Sequence, residues 1–146
     1  MRRGSQGTVY KVAEQNTSEA EYAIKFLHKQ KDSERRKRMH YEVQNVSRLD
    51  SIHLMRIVES NADRYGDETV KLYYIADFIE GISLEKYVES HDTDFDTALN
   101  FFVELLNVLY YCHSNNIIHR DIKPDNIMLP NGELMSFVSY RFWIVV

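Results

Sequence analysis

The sequence predicts an α+β fold, with short strands and a single helix in its first half and mostly helix after them. Three patterns predict it. Residues 9–13 and 22–27 are short β-prone runs joined by a polar turn, which reads as a pair of strands. Residues 33–49 place Met39, Val43, Val46 and Leu49 on one face of a helix. Residues 94–115 carry the longest helical pattern, with Leu99, Phe102, Val103, Leu106, Leu109, Tyr110 and His113 forming a broad apolar stripe.

Taken in order, Gly4 and Gly7 precede the first strand. Glycine lets backbone N–H groups approach an anion that a side chain would hold away. Two such glycines are also ordinary hairpin material. Lys25 in the second strand and Glu42 on the helix are, each alone, solvent-facing residues. The run Arg35, Arg36, Lys37, Arg38 sits unfavourably at a helix N-terminus, with Asp32 and Glu34 offsetting part of its charge. It reads either as a solvated helix face or as a docking surface for a phosphorylated segment or acidic partner. Residues 57–59 and 70–76 read as two further strands, and Gly81 makes a turn after the second. Ser83 caps a short helix over 83–90. Ser114, Asn115 and Asn116 stop the long helix, and Asn131-Gly132 fits a hairpin turn.

With 146 residues the chain can build one ordinary domain with a core. Its 44% hydrophobic and 27% charged residues are those of a globular protein. A net charge of -4 gives no footprint for nucleic acid. The single cysteine, Cys112, excludes an internal disulfide and fits a reducing compartment. The polar residues after Met1 do not form a secretory signal, so a cytoplasmic protein is expected. No apolar run approaches the roughly 18 residues of a membrane span. The histidines lack metal-ligand spacing, so no zinc site is expected. Nothing here fixes an oligomeric state.

The densest pattern starts at His119 and reads HRDIKPDNIML. Phosphoryl transfer needs one carboxylate to receive the proton of the attacking hydroxyl, and a polar ligand a few residues on for a metal ion. The stretch resembles the catalytic loop, H-R-D-x-x-x-x-N, of eukaryotic-type serine/threonine protein kinases. Gly4 to Val9 resembles the later part of the kinase glycine-rich loop, with Arg2 where its first glycine belongs. Tyr22-Ala23-Ile24-Lys25 is close to the family's V-A-I-K.

The resemblance implies a kinase-like architecture: an antiparallel small lobe with one helix over residues 1–76, a hinge over 77–82, and the start of a mainly helical large lobe over 83–134. It implies ATP and Mg2+ as cofactors and a protein substrate, since small-molecule phosphotransferases of this fold usually carry His-Gly-Asp where this chain has His119-Arg120-Asp121. It assigns Asp121 as base, Lys123 as stabiliser of the transferring charge, and Asn126 as metal ligand. Gly4, Gly7, Val9, Ala23 and Lys25 fall in the nucleotide site, with Lys25 on the phosphates, while Asp77 and Ile79 present backbone groups to the adenine. Glu42 orients Lys25, and the family forms that pair only when the helix swings inward. Ala76 takes the position behind the adenine.

The resemblance fades after Leu134. The family's magnesium aspartate belongs near Val138, and no aspartate follows Asp125. Residues 135–146 form an apolar, β-prone tail that the family does not predict. The expectation is half of a kinase domain, cut or mis-started at its N-terminus, with a tail from a shifted frame, a retained intron or a genuine truncation. Such a chain is expected to transfer phosphate poorly or not at all by itself. The competing expectation is a catalytically impaired, kinase-derived binding partner or scaffold.

Overall fold

The computed structural model describes residues 2–3, 7–13, 22–119, 121–130, 132, 134 and 143–144. The chain forms two compact units, one from Met1–Arg48 and Arg56–Phe78, the other from Leu49–Met55 and Ile79–Val146.

The first unit holds strands β1 (Arg2–Arg3), β2 (Gly7–Val12) and β3 (Tyr22–Leu27), helix α1 (Ser33–Val46), and strands β4 (Ile57–Ser60) and β5 (Tyr73–Asp77). They make one sheet in the order β1-β2-β3-β5-β4, antiparallel throughout. In β5 burial alternates, with Tyr74 and Ala76 turned inward as a half-buried strand requires. Lys25 pairs with Tyr74, and Ala23 with Ala76, so both β3 residues share the covered face. Helix α1 starts where the Asp32 carboxylate accepts the Arg35 N–H at 3.1 Å. It buries Met39 and Val46. It ends three residues short of the pattern's Leu49, because Leu49 packs into the second unit.

The basic run on α1 needs correcting at one position. Lys37 and Arg38 are exposed, but Arg36 is fully buried at 0%. Its Nε donates to the Tyr65 carbonyl at 2.7 Å. Nη1 donates to Gln30 O at 3.0 Å and Val70 O at 2.9 Å. Nη2 donates to Arg64 O at 3.0 Å and Asp67 O at 2.6 Å. A guanidinium has five N–H groups, so every one meets a backbone carbonyl. Neither a solvated face nor a docking surface describes Arg36. The carbonyls that the 64–70 loop turns inward need donors, and Arg36 supplies them.

The second unit contains β6 (Gly81–Ser83), α2 (Leu84–Ser90), α3 (Phe95–Ser114), β7 (Ile127–Pro130) and β8 (Trp143–Ile144). Its strands run β6-β7-β8, again antiparallel. A side chain at Gly81 would place its Cβ 2.0 Å from the Leu129 carbonyl oxygen, so close pairing of β6 with β7 requires glycine there. β8 pairs Trp143 and Ile144 of the apolar tail with Met128 and Ile127. Helix α3 is capped by Asp94, whose carboxylate accepts the Thr97 N–H at 2.9 Å. It closes on Asn116 at φ 59, a conformation asparagine tolerates. There Ile117 N–H reaches Cys112 O and Asn116 N–H reaches His113 O, both at 2.9 Å.

The α3 stripe expected from the sequence is not the buried one. Phe101, Leu105, Val108 and Cys112 pack with Leu54, Ile127 and Leu129, and of the expected set only Leu109 joins them, partly buried. Phe102, Leu106 and Tyr110 are 59%, 62% and 75% exposed. Opposite the polar face of Asp96, Asn100, Glu104 and Asn107 the apolar arc is wide enough to hold both sets, so spacing alone does not choose between them. Among the described residues no helix is long and apolar enough to cross a membrane.

Candidate active site

In the first unit the chemistry gathers around Lys25. Nζ donates to Glu42 Oε1 at 2.9 Å, with the two side chains 16% and 13% exposed. The pair that the family forms with its helix inward is therefore made. Tyr74, which sequence reasoning did not select, completes it. Its hydroxyl donates to the same Glu42 oxygen at 3.3 Å, and Lys25 Nζ lies 5.2 Å from its ring centroid. Burial works against the Lys25 charge, but Tyr74 and Glu42 outweigh it and hold the ammonium above the usual lysine range. Burial, and then Glu42, likewise raise the Tyr74 phenol, with Lys25 opposing. The signal for Tyr74 was its place two residues before Ala76 on the covered face of β5.

The remaining expected residues of this unit distribute as follows. Val9 pairs with Lys25 across β2 and β3, so Val9, Lys25 and Tyr74 form one rung of the sheet. Ala23 lies one inward position along, between Lys11 and Ala76. Gly7 opens β2 opposite Leu27, and Gly4 lies outside the described residues. Asp77 ends β5, where its carboxylate takes a two-pronged contact from Arg56, Nε at 2.8 Å and Nη2 at 2.9 Å. Its N–H already donates to Arg56 O at 3.1 Å, so that N–H is taken up within the first unit. Ile79 belongs to the second unit, as do the three loop residues.

The loop builds itself locally. A 3-10 turn over Pro124–Asn126 is closed by Asn126 N–H on Lys123 O at 2.9 Å. Proline at its first position suits a helical start, where an N–H has no partner. The turn aims the Asn126 side chain back at Asp121. Nδ2 donates to Asp121 O at 2.9 Å and to Asp121 Oδ2 at 2.8 Å. Lys123 Nζ stands 3.5 Å from the same Oδ2, with side chains 49% and 56% exposed. Asp121 N–H donates to His119 Nδ1 at 3.3 Å, which requires the Nε2-protonated imidazole. Asp121, Lys123 and Asn126 are thus brought together within one loop.

The donor set fits a hard cation only in part. Asn126 spends its N–H groups on Asp121, and its amide oxygen is of the kind magnesium takes. Among the described residues no group of three or more His, Cys, Asp or Glu could hold a metal. Magnesium here would rely on phosphate oxygens and water, as it commonly does. The position of the family's second magnesium ligand, near Val138, lies outside the described residues.

An antiparallel five-stranded sheet with a lysine–glutamate pair to its helix, and a loop that folds Asn onto Asp, define a protein-kinase-like fold. The model of the protein kinase domain matches residues 2–136, and the chain belongs to that family. Calcium-dependent protein kinase 5 of Plasmodium falciparum is 33% identical over 144 residues, 97% of this chain and 24% of that protein. Serine/threonine-protein kinase PrkC of Bacillus subtilis is 31% identical over 132 residues, 86% of this chain and 19% of that protein. The chain thus spans a quarter or less of these curated relatives. The PknI kinase domain of Mycobacterium tuberculosis superposes with a TM-score of 0.70 at 20% identity, covering 99% of this chain and 56% of that one. That likeness is one of fold.

Proposed function

We propose that this chain is part of a protein serine/threonine kinase that transfers the γ-phosphoryl group of Mg-ATP to protein hydroxyls. The observation that carries this reading is the Asp121 carboxylate, oriented by Asn126 and faced by Lys123. Mg-ATP supplies the phosphoryl group and neutralises part of its charge. The chain's own residues do the rest. Asp121 accepts the proton of the attacking serine or threonine hydroxyl, and Lys123 offsets negative charge on the group in transfer. Asn126 holds magnesium through its amide oxygen. Lys25 binds phosphate as a permanent cation, oriented by Glu42. Gly4, Gly7, Val9, Ala23, Asp77 and Ile79 serve the nucleotide, within a small lobe over 1–76, a hinge over 77–82 and a large-lobe segment over 83–134. The reading assumes the reducing cytoplasm, with which the buried thiol of Cys112 is compatible.

Two measurements test it. Titration calorimetry should show ATP binding that requires magnesium and is lost in Lys25→Met. Radiolabelled transfer to a generic protein substrate should be weak in this chain and absent in Asp121→Asn. No magnesium-dependent binding and no transfer would sink the proposal. A second reading, a catalytically impaired binding partner, is favoured by the position near Val138, where this chain lacks the aspartate that the family places there. Capture of a full-length kinase with no nucleotide present, and no ATP binding, would favour that reading.

A further inference from the structure

The first unit buries a second cation that the proposed chemistry does not use. Arg36 lies on α1, on the same helix as Glu42, and is wholly covered. All five of its N–H groups end on backbone carbonyls, one at Gln30 and four in the 64–70 loop. Gln30 reinforces the arrangement. Its Oε1 accepts the Leu72 N–H at 2.8 Å and lies 3.4 Å from Arg36 Nη1, while its Nε2 donates to Leu27 O at 2.9 Å and Leu72 O at 3.2 Å. Leu27 ends β3, the strand of Lys25, and Leu72 leads into β5, the strand of Tyr74. A rigid connection therefore runs from α1 to the ends of both strands that meet Glu42.

The geometry points to Arg36 as a positioning residue: its clamp on the 64–70 loop fixes α1 where Glu42 can hold Lys25. Its importance rests on the phosphate-binding role proposed for Lys25. A helix that moves on a sheet by sliding or swinging must break whatever ties it there. Few ties are as demanding as a fork of five donors in fixed directions. Lysine cannot replace it, since an ammonium has three donors on a single point. The backbone acceptors explain the arrangement's specificity: they are set by the fold of the loop, and only a planar fork satisfies several of them together.

The test is the reactivity of Lys25 in the whole chain without nucleotide, so that it stands apart from any test of ATP binding. Acetylation with a limiting amine reagent, read by mass spectrometry, reports whether the Lys25 ammonium is held by Glu42. In Arg36→Met the Lys25 labelling rate should rise about tenfold, equivalent to about 1.4 kcal/mol in the position of α1. Backbone hydrogen exchange in β2, β3 and β5 should stay at the wild-type rate while α1 exchanges faster. Millimolar methylguanidinium should restore Lys25 protection in Arg36→Ala, whereas methylammonium should not. Unchanged Lys25 labelling in a folded Arg36→Met chain would overturn the inference. If Arg36→Met does not fold, Arg36→Lys decides by the same criterion. Failure of Arg36→Lys to fold would overturn the inference too, making Arg36 a determinant of the sheet itself.

Discussion

Replacing Glu42 by glutamine removes one charge from the Lys25 pair with almost no change of shape. The two charges are 2.9 Å apart with side chains 16% and 13% exposed, so solvent screens them little. At an effective dielectric of about 20 their attraction is about 6 kcal/mol. The glutamine still accepts from Lys25, and Tyr74 stays beside the ammonium. The expected loss is therefore about 3 kcal/mol, the lower end for stranding one member of a buried pair. The assay is urea unfolding of the first unit, followed by exchange of the β3 and α1 amides. The double variant Lys25→Met, Glu42→Leu should recover to within about 1 kcal/mol of wild type, because no charge then remains to be solvated. A loss below about 0.5 kcal/mol in Glu42→Gln, the size of an ordinary surface change, would refute this reasoning.

Alkaline pH should weaken the same unit. Lys25 and Tyr74 both titrate higher folded than unfolded, so the folded state binds more protons and stability falls with rising pH. The contribution is whole below the ordinary tyrosine and lysine values of 10.0 and 10.5, and is lost above them. Urea midpoints of wild type and Tyr74→Phe, measured on both sides of that range, check it: the fall should shrink in the variant. Gly81→Ala should cost more than about 3 kcal/mol, because its Cβ meets a backbone oxygen rather than a side chain that can turn away. Lost exchange protection at Leu129 would report the broken strand pairing. Asn126→Ala should raise amide exchange over residues 121–126, whereas Lys123→Met should leave it unchanged, since two hydrogen bonds and not the ion pair close the loop.

What the sequence reveals depends on how far apart the partners lie and on which atoms they use. The loop from Asp121 to Asn126 was legible because its bonds are local and its turn residues state their geometry. The Lys25–Glu42 pair bridges strand and helix, and only the resemblance joined them. Tyr74 went unselected because its role comes from strand register, which pairs it with Lys25. Arg36 was misread for a different reason. Its neighbours are charged and exposed, and its partners are main-chain carbonyls, which leave no mark in the residue types of the loop. On α3 the error was one of excess, since an apolar arc wider than the face the core covers does not say which part of it turns inward.

The two units carry their charges under opposite physical conditions, and this decides what each can do. Lys25 has already lost most of its water, and Glu42 and Tyr74 replace that water with fixed partners. Its charge is permanent, its position is set by packing, and a bound anion would meet it without reordering solvent. Asp121 and Lys123 remain half in water, where an ion pair contributes roughly 0–1 kcal/mol. Attraction that weak does not hold a carboxylate in place, so orientation falls to Asn126 and the backbone turn beneath it. The weakness has a chemical use. In the proposed transfer, an exposed lysine loosely held by an aspartate would turn to a phosphate at little cost, leaving the carboxylate to receive a proton. The buried pair could not make that exchange, since separating it would strand a desolvated charge.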